Sequence, residues 1–199
     1  MKKVLCTLVL ASAVSSYAHA QAVRLGAKAG ASLTEFVGKN GAGFDNKVGF
    51  HGGLVAEIGF SDQLSIQPEV LYSLKGAQLG EVAQDVRLNL SYLDIPVLLK
   101  WKAERVFFEA GPQVGLLLAS RLKTETRALD NKSSFNTFDV GYAAGVGYAL
   151  STGPMIGLRY NGGITQVGHD VSSNGILYKA PNIRNSAFQL YVGLLLGRN

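Results

Sequence analysis

Cysteine is almost missing from this chain: its one copy, Cys6, falls within the first twenty residues. With that copy in a segment expected to be removed, the rest of the chain has no disulfide and no thiolate to use as nucleophile or metal ligand. Histidine is nearly as scarce, and apart from His19 in the leading segment only His51 and His169 are present. Two histidines without a cysteine give no basis for a metal site, and carboxylates alone are weak grounds for one. No cofactor motif compensates. Gly38-Lys39 is followed by Asn40, and Leu33 stands where a phosphate-binding loop needs its first glycine. Charge is thin as well: the formal +5 falls to +3 once Lys2 and Lys3 are set aside. So weak and scattered a surplus excludes a nucleic-acid-binding surface. Beyond the leading segment no apolar run approaches the ~20 residues of a spanning helix. If this chain enters a membrane, it does so as a barrel.

The leading segment, MKKVLCTLVLASAVSSYAHA, has a basic start at Lys2 and Lys3, an apolar run from Val4 to Val14, and Ala18-His19-Ala20 as an A-x-A site. These are the three parts of a secretory signal, so residues 1–20 are expected to be removed. Cys6 lies inside the apolar run rather than at its end, unlike a lipidation site. The remaining 21–199 are of a length that suits one domain.

What is abundant is glycine, 24 residues spread along the chain, and a period of two. Odd positions from Val23 to Leu33 are apolar, with Arg24, Lys28 and Ser32 between them. Val48–Phe60 and Leu64–Leu74 continue the alternation, followed by Val86–Trp101, Arg105–Ala119, Thr137–Leu150, Met155–Thr165 and Ala187–Gly197. Eight such strands exceed the ~5–6 residues usual in soluble sheets. Tight turns at 61–63, 102–104 and 151–153 alternate with long polar connections around 35–46, 76–85, 120–136 and 166–186. Short turns on one side, long loops on the other and both termini at the short side define an eight-stranded antiparallel up-and-down transmembrane β-barrel of the outer-membrane kind.

A soluble lipocalin-like barrel alternates too, with its apolar face inward. Here the polar face is mostly Gly, Ala, Ser, Asn, Thr and Gln, which suits a crowded narrow interior better than a water-exposed wall. Aromatic residues give an independent test. Phe60, Trp101, Phe108 and Tyr148 lie close to a short turn, whereas Phe50, Tyr72, Tyr92 and Tyr142 lie further along their strands. At ~3.3 Å per residue and ~40–45° tilt, the separation of the two rows matches the ~25 Å apolar band between membrane interfaces. Outer-membrane lipid is therefore the expected partner of the apolar face.

The runs GFHGGLVAEIGFSDQLSIQPEVLYSLKGA, LNLSYLDIPVLLKW and VFFEAGPQVGLLLAS resemble the PorT-like, "porin family" outer-membrane barrels of Bacteroidota. The resemblance covers essentially the whole chain after the signal. It implies an eight-stranded outer-membrane barrel and no single biochemical activity. One departure is the end, LLLGRN, where many outer-membrane barrels carry an aromatic residue.

Counted from the short turns, Glu57, Glu69, Asp94, Glu109 and Arg159 fall at roughly one height on the polar face. Unpaired charges in a medium of reduced dielectric are costly, so they are expected to pair. The expectation is a charge plug: Arg159 bridging Glu69, Glu109 or Asp94, Gln67 and Gln113 completing the hydrogen bonds, and Arg24 and Lys28 as further candidates. Pro68, Pro96 and Pro112 fall at the same height on three consecutive strands, where each must cost a ladder bond or sit at a bulge. In the fourth strand Leu88, Leu90 and Tyr92 are apolar on even numbers, then Leu93 to Trp101 on odd ones. That phase change predicts a bulge near Tyr92–Leu93 which turns Asp94 inward.

Catalysis would need a histidine beside a serine and an orienting acid. His51 is a lumen position, and His169-Asp170 with Ser172 and Ser173 reads as plain polar loop, so no catalytic residue and no enzyme activity are expected. The reading that results is a monomeric, non-enzymatic outer-membrane barrel, structural or binding surface or envelope partners through its loops. The alternatives are a narrow channel for small polar solutes and an accessory part of a secretion system.

Overall fold

The period of two becomes eight long strands wound into a closed barrel. The computed structural model describes residues 23–39, 41, 44–79, 87–123, 128–130, 132, 135–169, 171–173 and 176–196. The barrel strands are β1 (Val23–Val37), β2 (Lys47–Gly59), β3 (Leu64–Leu79), β4 (Arg87–Ala103), β5 (Val106–Lys123), β6 (Phe138–Ala149), β7 (Pro154–Gly163) and β8 (Arg184–Leu196). Each pairs antiparallel with its chain neighbours, and β8 closes on β1 from Leu25↔Leu196 to Val37↔Arg184. Closure leaves no sheet edge, which is what lets a β-structure satisfy its backbone inside a bilayer. No helix is long and apolar enough to cross a membrane, which says nothing against strands doing so.

The outward face is apolar throughout the middle of the barrel. Leu25, Val48, Leu54, Leu99, Leu158, Val192 and Leu196 are all exposed there. Water would not tolerate so continuous an apolar wall on a monomeric soluble protein, so this is the lipid face. Seven of the eight expected interface aromatics stand on it: Phe60, Trp101, Phe108 and Tyr148 toward the short turns, and Phe50, Tyr72 and Tyr142 toward the long connections. Trp101 stacks on Phe108 at 5.7 Å and Phe50 meets Tyr72 at 6.1 Å, each a cross-strand pair of neighbouring strands.

Tyr92 is the exception, and it corrects the sequence reading. Its side chain is fully buried inside the barrel, as are Leu88 and Leu90. β4 alternates without any change of phase: even positions from Leu88 to Lys100 face inward. The predicted bulge exists but lies on the partner strand. Ser91 pairs with Ala119 and Tyr92 with Leu117, so Leu118 of β5 is the extra residue. Asp94 does face the lumen, by plain alternation rather than by a re-aimed strand.

The reason is a second interior environment at the loop end. Phe36, Ala77, Leu88, Leu90, Tyr92, Leu117, Val167 and Ile183 form one buried apolar cluster, with Phe44, Leu122 and Phe135 against it. Strands that extend past the bilayer turn apolar side chains inward there, because the interior is then the drier side. The long connections contribute directly. Phe36 meets Phe44 edge-on at 5.3 Å, Asn136 donates its backbone N–H to the Val167 carbonyl, and Val167 donates to Ile183.

The prolines are near neighbours across adjacent strands, Pro68 opposite Val97 and Pro96 opposite Gln113, and none sits at a bulge. Pairing lapses for two residues beside each of Pro68, Pro96 and Pro112, then resumes in the same register. Each therefore costs ladder hydrogen bonds, the first of the two outcomes open to a proline in a closed barrel. Inward glycines make room for large neighbours: a Cβ at Gly157 would strike the Tyr191 ring, and one at Gly147 the Phe107 ring.

Candidate functional site in the barrel lumen

Glu57, Glu69, Asp94, Glu109, Arg159, Gln67 and Gln113 are all buried and inward, as their strand parity requires. They do not form one level. Along the axis they fall into three groups, because strands tilt in a barrel and equal step counts from the turns are not equal heights.

The central group is the most enclosed. Arg159 of β7 donates from Nη1 to Glu69 Oε2 at 2.8 Å, from Nη2 to Glu69 Oε1 at 2.9 Å, and from Nε to Glu109 Oε1 at 2.7 Å. Lys28 of β1 donates to Glu69 Oε1 at 2.9 Å, and Gln67 does so at 2.6 Å. Tyr191 of β8 donates its hydroxyl to Glu109 at 2.9 Å while its ring lies 3.8 Å under the Lys28 ammonium. The Arg159, Lys28, Glu69 and Glu109 side chains have no exposed surface, and their two cations balance two anions. Arginine suits this position because its planar fork can hold two carboxylates at once.

Toward the short turns, Glu57 is the shared acceptor of Arg24, Lys100 and Lys102. Lys100 also donates to Gln67 Oε1 at 3.1 Å and lies 4.0 Å over the Phe107 ring. Beneath these side chains the barrel opens through a cavity of about 340 Å³. Toward the loops, Lys75 donates to Asp94 at 2.8 Å and lies 4.8 Å from the centre of the Tyr92 ring. Asp139 accepts from Asn185 at 2.8 Å and from Thr165 at 3.0 Å. Gln113 bonds Asn161 at 3.1 Å rather than joining the carboxylates. Arg159 does not reach Asp94, whose cation is Lys75.

Sequence reasoning thus found the acids and one arginine but missed Lys75, Lys100, Lys102 and Tyr191 as partners. Strand parity alone pointed to Lys75 and Lys100, since both stand on inward positions. His51 is buried and shares a 2.9 Å hydrogen bond between Nδ1 and Ser32 Oγ. No acid contacts it among the described residues, and the pair is sealed inside the barrel. His169 is exposed; Asp170 lies outside the described residues. Among the described residues no group of three His, Cys, Asp or Glu could hold a metal ion.

A closed eight-stranded barrel with an apolar exterior, a charged interior and aromatic rows at both ends of its lipid face defines an integral membrane protein of the outer-membrane class. The chain belongs to the family described as outer membrane protein beta-barrel domain, whose model matches residues 18–168. No curated protein matches it by sequence. Among solved structures it is similar to Neisserial surface protein A, at 17% identity and a TM-score of 0.55, covering 85% of this chain and 96% of that one. It is also similar to Ail, the attachment invasion locus protein of Yersinia pestis, at 12% identity and a TM-score of 0.51, covering 87% and 98%. At these identities the likeness is one of fold.

Proposed function

We propose that this protein is a non-enzymatic outer-membrane barrel whose lumen is shut by its own charges and whose work is done at its outward end. The observation that carries this reading is the stack of two seals. A fully buried, balanced ion network occupies the middle of the lumen, and an apolar cluster built partly from the long connections lies above it. Eight strands leave an interior that side chains can fill. The same cluster gives the loops a rigid base, which suits a binding surface for envelope or surface partners. Two proteins of like fold, a surface protein and an attachment invasion locus protein, support the surface role. On this reading residues 1–20 are a cleaved export signal and the chain works as a monomer, and the quoted blocks support kinship with the PorT-like barrels.

A second reading, a narrow channel for small polar solutes, draws on one specific feature. His51 Nε2, Ser73 Oγ, Asp94 Oδ2, Glu109 Oε2, Asn161 Oδ1 and Gln189 Oε1 are buried without hydrogen-bond partners among the described residues. Buried polar groups are normally satisfied, by water where the protein does not reach. Proteoliposome swelling in glycine and in small sugars separates the two: the closed reading predicts the rate of protein-free vesicles, and swelling that scales with solute size supports the channel.

A further inference from the structure

We infer that the mouth at the short-turn end, the periplasmic end of the barrel, is a binding site for a compact oxyanion of the phosphate class. The site is the cavity of about 340 Å³ below the central ion network. Its floor is Lys100, which has no exposed side-chain surface, and its wall carries Arg24 and Lys102, 13% and 21% exposed. All three cations turn to one carboxylate, Glu57. Even with Arg24 left out of the count, Lys100 and Lys102 share a single negative charge. Arg105, whose guanidinium donates to the Tyr148 hydroxyl at 3.2 Å, lines the same cavity.

The contrast along the axis gives this arrangement its meaning. In the central group two cations meet two carboxylates, and toward the loops Lys75 faces Asp94 with Asp139 close above. Among the described residues the periplasmic mouth therefore gathers more cations than the one carboxylate they contact, and a cavity opens it to water. Like charges crowded around one acceptor repel, and a second anion relieves that repulsion. The two acids that also line the cavity, Asp62 and Glu104, sit exposed on the turn tips and contact none of these cations among the described residues. Water screens them there.

The donors fit the phosphate class in kind as well as in charge. A phosphate presents several acceptor oxygens and about 1.5–2 negative charges near neutral pH. Arg24 supplies a planar fork and Lys102 a compact ammonium at the rim, while Lys100, which donates to Glu57 and Gln67, adds its charge from beneath. Ala149 and Leu195 form an apolar side of the cavity, which raises the strength of charge pairing inside it. The ligand is free inorganic phosphate or a small phosphomonoester of the periplasm.

The test is titration of the refolded, detergent-solubilised barrel with inorganic phosphate by calorimetry, at constant ionic strength set with chloride. The expected result is saturable binding that weakens at least tenfold in Arg24→Gln/Lys102→Gln. Lys102→Gln alone, at the rim, weakens it about threefold while the heat-modifiable gel band shows a folded barrel. Absence of saturation in the wild type overturns the proposal. So does an affinity within twofold of wild type in the folded double variant, or equal displacement by chloride.

Discussion

Replacing Arg159 by methionine tests the central network most sharply. The side chain has no exposed surface, and it donates to Glu69 at 2.8 and 2.9 Å and to Glu109 at 2.7 Å. Methionine keeps much of the volume against Tyr191 but leaves two buried carboxylates to Lys28, Gln67 and the Tyr191 hydroxyl. Removing one partner of a buried pair typically costs ~3–5 kcal/mol, because the remaining charge is stranded. Lys28 stays 2.9 Å from Glu69 and offsets part of that, so a loss of about 3 kcal/mol, the low end of the range, is expected. With a urea dependence of ~2 kcal/mol/M, the unfolding midpoint in detergent or lipid should fall by about 1.5 M. The double change Arg159→Met/Glu109→Gln should recover most of it, since Lys28 then faces Glu69 alone and no charge is stranded. A fall below about 0.5 M would refute the reasoning, because losses of ~1 kcal/mol or less belong to water-solvated pairs. The lumen would then be open to solvent.

Other regions make separate predictions. Gly76 has φ of +129° and its missing Cβ faces the Leu88 carbonyl, so Gly76→Ala should cost ~1–3 kcal/mol and reduce the yield of heat-modifiable barrel on refolding. Tyr92→Phe removes only a 3.4 Å contact with Asn185 and should shift the urea midpoint little, whereas Tyr92→Ala empties the outer apolar cluster at ~3–5 kcal/mol. Equal effects of the two would contradict burial of the ring. Trp101, the sole tryptophan, is 48% exposed on the lipid face near the short turns. Lipids brominated near the headgroup should quench its emission more than lipids brominated at mid-chain, and strong quenching by aqueous iodide would place it wrongly.

The fold was legible because two signals agreed: a period of two over strands too long for a soluble sheet, and strictly alternating short and long connections. The polar face at Glu69, Glu109 and Arg159 followed from parity. Two things did not. Parity assigns sides but not heights, so Glu57, Glu69 and Asp94 read as one ring when barrel tilt separates them into three groups, with three, two and one cations respectively. Lys100 also hid within an apolar run, LLKW, though its inward position was implied by its neighbours Leu99 and Trp101 facing lipid. Hydrophobicity, in turn, marks the dry side only while the surroundings are known. Within the bilayer that side is outward; past it, at Leu88, Leu90 and Tyr92, it is inward. A rule carried across that boundary placed Tyr92 in lipid and shifted the bulge one strand from its true place beside Leu118.

The closed lumen is the central claim, and single-channel recording in planar bilayers addresses it directly. Wild-type barrel inserted in a bilayer should give no steady conductance at moderate voltage of either sign, and Arg159→Ala should introduce brief, noisy openings at most, since the apolar cluster above stays in place. A stable, voltage-independent conductance in the wild type, altered in size or ion preference by Arg159→Ala, would contradict the account and make the charge network a filter.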